Sequence, residues 1–244
     1  DWPTYRGDPE RSGRAACDVP SEPSKAWEAE IGGKLVQPIV ADGKLFVAQV
    51  DAHTIHALDA ADGSRLWSYT AGARIDSPPT WHDGQLLFGS RDGWVYCLRA
   101  DDGALAWRFR AAPGERRIVG FDQVESAWPV PGSVLVQNGV AYVAAGRSSF
   151  LDGGVRLYGL DPTDGKLLHE TSVVGPWPDP VDEVGRPFDM EGTKGDLLVG
   201  DGEHISRVRV QRVRTGVGAG VLALPVPREV DGGDRSLARE AAEL

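Results

Sequence analysis

The side chains whose types and spacing could do chemistry are concentrated where mixed charges surround an aromatic residue, at about residues 108–133. Guanidinium and carboxylate groups beside an indole could bind a polar ligand or a peptide. An arginine from a later turn could flank the same surface. The other interpretation is a structural loop held by an ion pair, and the sequence leaves both open. The candidate binding residues are Arg116, Arg117, Asp122, Glu125, Trp128 and Arg147.

A second group of candidates is acidic and lies in a proline-rich connection after residue 175. Such carboxylates could coordinate Ca²⁺. They lack the D-x-[DN]-x-[DN]-G order of a known calcium loop, so we interpret them as a solvated acidic loop and predict no metal site. These residues are Asp179, Asp182, Glu183, Asp189 and Glu191.

Catalytic motifs are missing from the sequence. No nucleophile elbow, P-loop or H-E-x-x-H pattern occurs. The two cysteines, Cys17 and Cys97, are 80 positions apart, which suits neither a disulfide framework nor a zinc site. The net charge of −10 disfavours binding to nucleic acid, and no run of 18 apolar residues could span a membrane.

The elements that must position these side chains belong to a repeat of about 40 residues. Trp67 follows Trp27 by 40 residues, and Trp107 follows Trp67 by 40 residues. Each tryptophan is expected to begin an outer strand and to wedge between neighbouring units, with its indole N–H meeting a carbonyl. The structural positions of the repeat are Trp27, Gly63, Trp67, Gly103, Trp107 and Gly165.

Each repeat unit predicts four short strands. Asp-Gly or Asn-Gly pairs separate the apolar runs and supply the positive φ angles that tight hairpins need. Four strands at a period of 40 residues are typical of a β-propeller blade. We therefore predict an all-β fold, a β-propeller of four-stranded blades. About four blades can be discerned, which indicates an incomplete ring.

The domain organisation follows from the extent of the repeat. We expect propeller blades over residues 1–204, interrupted by an insertion at about residues 108–133. Residues 205–244 contain seven arginines and no aromatic residue, and they do not resemble a blade. This non-repeat tail is interpreted as an edge strand with a flexible end, or as non-native sequence after a lost reading frame. A nucleic-acid arm fits the acidic body poorly.

The repeated turn and the opening segment at residues 1–13 resemble pyrroloquinoline-quinone-type (PQQ-type) propeller repeats. Such repeats occur in quinoprotein alcohol dehydrogenases and in the non-enzymatic outer-membrane assembly lipoprotein family of Gram-negative bacteria. Some positions depart from the pattern of that family, which weakens individual contacts between blades and leaves the expected fold unchanged. The family pattern is Ala-x-Asp-x-x-Thr-Gly-x-x-x-Trp. The departing residues are Asp62, Asp102 and Asp164 at the Thr position, Arg99 at the Asp position and His169 at the Trp position.

The resemblance implies a choice between binding and redox chemistry. In the resembling dehydrogenases the quinone lies on the propeller axis with Ca²⁺, beside a catalytic Asp and a vicinal Cys-Cys disulfide. This chain has no Cys-Cys pair and no C-x-x-C-H haem site. We therefore expect a non-catalytic, extracytoplasmic binding or scaffold module without a cofactor. The alternative is a fragment of a PQQ-dependent dehydrogenase with calcium.

The expected partner is a protein or peptide, or a second copy of this chain that associates through exposed blade edges. A partial propeller leaves apolar faces and unpaired strands at its two ends, and both favour association. The extracytoplasmic location is expected to require a leader that this chain does not contain.

Overall fold

The computed structural model describes residues 1–15, 17–18, 21–22, 24–174, 197–208 and 221–225. Seventeen β-strands occur in these ranges. No helix occurs in these ranges. The all-β fold is therefore confirmed. The five acidic calcium candidates lie outside the described residues.

The first two sheets each have four antiparallel strands in simple sequence order. The strands of the first sheet are β1 (Ile39–Ala41), β2 (Lys44–Gln49), β3 (Thr54–Asp59) and β4 (Arg65–Thr70). Those of the second are β5 (Thr80–His82), β6 (Gln85–Gly89), β7 (Trp94–Arg99) and β8 (Leu105–Arg110). The turn at Asp42 and Gly43 has φ angles of 50° and 68°, as a two-residue hairpin requires.

A two-stranded hairpin, a third four-stranded sheet and a three-stranded sheet follow in the chain. The hairpin consists of β9 (Arg117–Gly120) and β10 (Gln123–Ser126). The third sheet contains β11 (Leu135–Gln137), β12 (Val140–Ala145), β13 (Val155–Leu160) and β14 (Leu167–Val173). The fourth contains β15 (Leu197–Gly200), β16 (His204–Val208) and β17 (Val221–Pro225).

The fourth sheet takes strands from the segment that the sequence analysis separates at residue 205. β16 pairs with both β15 and β17 in antiparallel register. Thus residues 205–208 and 221–225 are paired in a sheet with residues from before this boundary. The four sheets are blades of a propeller, and over the described residues these blades do not close into a ring.

The hydrophobic core lies between successive blades. Along β6, Leu86 and Phe88 pack in the cluster between the first and second blades, whereas Leu87 packs in the cluster between the second and third. Successive side chains of a strand point to opposite faces of its sheet, so both faces are buried. This arrangement explains why β6 is apolar at the consecutive positions Leu86, Leu87 and Phe88 rather than at alternate ones.

The blades are also linked by the repeated tryptophans. Trp67 lies on β4 of the first blade, and its Nε1 donates to the carbonyl of Ala100 in the second blade at 3.0 Å. Gly103 in the same turn has a φ of 72°, and a Cβ added there would lie 2.5 Å from the indole. Trp107 repeats this contact in the third blade, since its Nε1 donates to the carbonyl of Pro162 at 3.0 Å.

The outer strands begin two residues before the tryptophans, so the expectation that each tryptophan begins its strand is off by two positions. β4 begins at Arg65, which pairs with Leu58 beyond a register shift in β3. β8 begins at Leu105 for the same reason, because it pairs with Leu98 beyond a corresponding shift. In each blade the register shift allows one further residue pair before the tryptophan, Leu58 with Arg65 and Leu98 with Leu105.

The N-terminal segment runs along the inner strands. β1, β5, β11 and β15 pack side by side and define the axis of the blades. Trp2 exchanges backbone hydrogen bonds with Val40 on β1, and Pro3 accepts one from Trp81 on β5. Further along, Pro9 accepts a hydrogen bond from the backbone N–H of Gly200 on β15 at 3.0 Å. One short segment therefore links the first, second and fourth blades.

We expect Gly103→Ala to lower the free energy of unfolding by about 3 kcal/mol, because it combines a strained positive φ with a clash against Trp67. Gly43→Ala is the matched control, since its φ is 68° but nothing lies within 4 Å of an added Cβ. This control should cost about 1 kcal/mol. Urea unfolding followed by fluorescence measures both. Equal losses would show that the contact between the indole and the glycine does not contribute.

Candidate functional site

The β9–β10 hairpin stands apart from the blade sheets, in the connection between β8 and β11. Gln123 pairs with Gly120 next to the turn, and Phe121 and Asp122 form the turn itself. Their φ angles are 52° and 60°. A bulky residue in this left-handed region is strained and persists only where other contacts hold it.

Two arginines hold the ring of Phe121. The guanidinium carbons of Arg74 and Arg91 each lie 4.5 Å from the ring centroid. Arg74 comes from the connection between β4 and β5, and Arg91 comes from the turn between β6 and β7. Both arginines are buried, whereas 57% of the surface of Phe121 is exposed, so the ring covers the two guanidinium groups from the solvent side.

Carboxylates complete this buried cluster. Asp76 forms ion pairs with both Arg74 and Arg91. Glu125 on β10 accepts a hydrogen bond from Arg91 Nη1 at 2.8 Å, and only 5% of its surface is exposed. Glu125, a sequence candidate for ligand binding, is therefore part of the anchor that fixes the hairpin to the blades.

Three other sequence candidates converge on Asp152 in the connection between β12 and β13. Arg116 Nη1 donates to Asp152 Oδ1 at 2.6 Å, and Arg147 donates to the second carboxylate oxygen. Trp128 Nε1 donates to the backbone carbonyl of Asp152 at 2.7 Å. These contacts fix the insertion to the connection between β12 and β13.

A cavity of about 300 Å³ lies beneath the hairpin, lined by residues of β7, β8 and the insertion. Arg116, Arg117 and Glu125 are the sequence candidates that line it. Arg108 and Arg110 from β8 add two further guanidinium groups. The cavity is thus cationic on several sides. Of the remaining sequence candidates, Asp122 is exposed in the hairpin turn, whereas Trp128 and Arg147 contact Asp152.

The aromatic side chains of the cavity are held by charged neighbours. The guanidinium of Arg108 stacks on the ring of Trp94 at 4.4 Å. The hydroxyl of Tyr96 donates to Asp92, and burial together with that carboxylate raises the pKa of Tyr96. The phenol therefore stays protonated at neutral pH and continues to donate.

A second cavity of about 350 Å³ lies on the other side of the buried cluster, near the inner strands. Arg74, Asp76 and Phe121 line it together with Tyr5 of the N-terminal segment. The buried cluster therefore separates two spaces, and Glu125 faces the first of them.

The sequence analysis missed the residues that anchor the hairpin, namely Arg74, Asp76, Arg91 and Phe121. Each lies outside the insertion or in its turn, and none belongs to a recognisable motif. The tight turn at Phe121 and Asp122 contains no glycine at its two positive-φ positions, so the Asp-Gly and Asn-Gly pairs that mark the other hairpins do not reveal it in the sequence.

Metal and thiol chemistry find little support in the described residues. Within these ranges, no group of three or more His, Cys, Asp or Glu side chains could hold a metal ion. Cys97 is buried, and burial raises the pKa of its thiol to about 12, which keeps it a poor nucleophile.

The blades and their linking indoles define the class of this protein, a β-propeller built from PQQ-type repeats. A family model described as outer membrane protein assembly factor BamB matches residues 10–193. The chain therefore belongs to that family, which confirms the resemblance found in the sequence.

The curated relatives include both outer membrane protein assembly factors and quinone-dependent alcohol dehydrogenases. The outer membrane protein assembly factor BamB of Burkholderia pseudomallei is 27% identical over 170 residues, which cover 69% of this chain and 39% of the relative. The alcohol dehydrogenase (quinone) subunit of Gluconacetobacter polyoxogenes is 25% identical over 139 residues, covering 51% of this chain and 18% of the relative. The chain thus spans well under half of either relative.

Solved structures show the same fold. Quinohemoprotein alcohol dehydrogenase ADHIIG from Pseudomonas putida HK5 aligns with a TM-score of 0.64 at 15% identity, covering 85% of this chain and 34% of that one. The quinohemoprotein alcohol dehydrogenase of Comamonas testosteroni aligns with a TM-score of 0.58 at 18% identity, over 70% and 27% of the two chains. At these identities the likeness shows the propeller fold alone.

We expect Phe121→Ala to loosen the hairpin, because both arginines lose their aromatic partner. Backbone amides of residues 117–126 should exchange with deuterium about tenfold faster, while those of β6 and β7 remain unchanged. Phe121→Tyr is the control, since it keeps the ring and should exchange like the unchanged protein. Unchanged exchange in the alanine variant would mean that the arginine stack does not hold the hairpin.

Proposed function

We propose that this chain is a non-catalytic, extracytoplasmic scaffold that binds a partner protein through the β9–β10 hairpin. The observation that carries this proposal is the apolar outer face of the hairpin. Val119 and Val124 are directly opposite each other in the two strands, and 77% and 57% of their surfaces are exposed. Exposed apolar clusters rimmed by charge are typical of protein-binding sites.

The support beneath the hairpin strengthens this interpretation. An isolated two-stranded hairpin is marginally stable in water. Here, the ion pair between Arg91 and Glu125 and the stacking on Phe121 fix it to the blades. His53 from the first blade also contacts Gln123 at 2.6 Å. A rigid element binds a partner at a smaller entropic cost than a mobile loop does.

The family membership supports the assignment to a binding protein in the cell envelope. The Burkholderia relative is named for its part in the assembly of outer membrane proteins. In the described part of this chain, no helix has the length and apolar character needed to cross a membrane. On the basis of the family, we propose that the chain lies outside the cytoplasm, where it presents the hairpin to another protein.

Photo-cross-linking in the native host tests the partner. A photoreactive residue at Val119 should join one defined protein, and Val124→Ser should reduce that product about tenfold by removing the opposing apolar side chain. The same probe at Leu105, exposed on the outer strand β8, is the matched control. Mass spectrometry identifies the products. Identical products at both positions would refute a hairpin-specific partner.

A second copy of this chain is the other possible occupant. The blades do not close into a ring, so their end faces could pair between copies. If the probe at Val119 joins only another copy, the scaffold acts by self-association, and the proposed heterologous partner is wrong.

The alternative function is that of a fragment of a quinone-dependent dehydrogenase. The likeness to the Pseudomonas putida enzyme, over 85% of this chain, is the observation in its favour. Against it, Thr4 and Arg11 of the N-terminal segment occupy the region between the inner strands and hydrogen-bond there. The quinone of the resembling enzymes lies on this axis, so we favour the binding function.

Addition of pyrroloquinoline quinone with Ca²⁺ tests this alternative directly. We expect no saturable change in the quinone absorption spectrum and no dye reduction with an alcohol, because Thr4 and Arg11 lie between the inner strands. A quinone dehydrogenase assayed in parallel controls for cofactor quality. Saturable binding with turnover would overturn the non-catalytic assignment.

A further inference from the structure

The cavity beneath the hairpin contains more positive charge than its own carboxylates neutralise. Arg116 is paired with Asp152, and Glu125 is paired with Arg91. Arg110 reaches Glu115 at 3.5 Å. Within the described part of the chain, Arg108 and Arg117 form no ion pair. Asp92, a carboxylate of the same cavity, accepts a hydrogen bond from Tyr96 and likewise forms no ion pair within these residues. One positive charge is therefore left without a counterion.

Arg108 is prepared to receive an anion. Its guanidinium carbon lies over the Trp94 ring, 4.4 Å from the centroid, and its N–H donors lie in the guanidinium plane. A planar fork held in this way can donate two parallel hydrogen bonds to a carboxylate, with little rotamer entropy left to lose. Arg117 on β9 lines the same cavity and supplies a second, unpaired guanidinium.

The excess of a single positive charge favours a binding group that brings one negative charge into the cavity, as one carboxylate of a larger acid does while its second carboxylate stays in solvent. A phosphate dianion would meet the carboxylates of Asp92, Glu115 and Glu125 in the same cavity and would be repelled by them. A carboxylate balances the charge and matches the planar geometry of arginine.

We propose that this cavity is a carboxylate-binding pocket in which Arg108 and Arg117 hold the ligand. The carboxylate is carried by a free dicarboxylic acid or by an acidic side chain of the protein that docks on the hairpin. In the second case the inference rests on the proposed function, since Val124 belongs to both the hairpin face and the cavity wall.

Isothermal titration calorimetry at low salt tests the pocket. The probes are succinate, the capped peptide acetyl-VEVEV-amide, its neutral counterpart acetyl-VQVQV-amide, and inorganic phosphate. We expect at least one of the two carboxylate probes to bind. Arg108→Gln and Arg117→Gln should each weaken that binding about tenfold, because each removes a charge-assisted hydrogen bond. Added salt should weaken binding as well.

Arg65→Gln is the matched control, since Arg65 is an exposed arginine on an outer strand and does not line the cavity. It should bind like the unchanged protein. Arg108 and Arg117 are themselves exposed, so their replacement should leave the fold intact, and this is checked by the urea midpoint.

The outcomes separate the sources of the carboxylate. Binding of succinate supports a free acid as the ligand, and binding of the acidic peptide alone supports a partner segment. Absence of binding by both probes, equal binding of the neutral peptide, tighter binding of phosphate, or an equal loss in Arg65→Gln would overturn the pocket. The cross-linking experiment at Val119 tests the proposed function independently of the pocket, because the cross-link does not depend on Arg108 or Arg117.

Discussion

The arrangement of the blades depends on the hydrogen bonds that the buried guanidinium of Arg11 donates. It donates to the carbonyls of Val134 and Leu198 at 3.2 Å each, and to the hydroxyl of Thr4 at 2.6 Å. Burial lowers the pKa of Arg11 to about 10, so the charge is costly and its acceptors are needed to retain it. An open arc of blades has no ring closure, and this residue joins the third and fourth blades across the axis.

The blades in turn position the hairpin. Arg91 lies in a turn of the second blade, where its Nη1 donates to Glu125 and its guanidinium contacts Phe121, both in the insertion. Its Nε donates to Asp76 in the connection between β4 and β5. The indole of Trp67 fixes the second blade against the first, and so holds the strands from which Arg74 and Arg91 arise. The strained turn at Phe121 is therefore stabilised by residues from two blades. The proposed partner binding and the proposed carboxylate binding both depend on this shared support.

The sequence predicted the chemistry of the insertion better than its geometry. Arg116, Trp128 and Arg147 were recognised as a group, but their common partner Asp152 is 24 or 36 residues from the first two, and only folding brings it near. The sequence analysis includes Arg108 in the insertion and does not select it as a binding residue, whereas the structure places it on β8, with its guanidinium carbon 4.4 Å from the centroid of the Trp94 ring. Pairs of this kind depend on how two blades meet, and no local pattern reports that.

The blade repeat, the hairpin turns and the linking indoles were determined by the sequence alone. Turn chemistry is local, because the positive φ angles at Asp42 and Gly43 need only neighbouring residues, and the 40-residue spacing of Trp67 and Trp107 is read directly from the sequence. The tertiary structure alone decided which charges are paired and which are left free. Ion pairs and desolvation depend on distances between segments far apart in the chain. Those distances are set by the packing of the blades against one another and around the N-terminal segment.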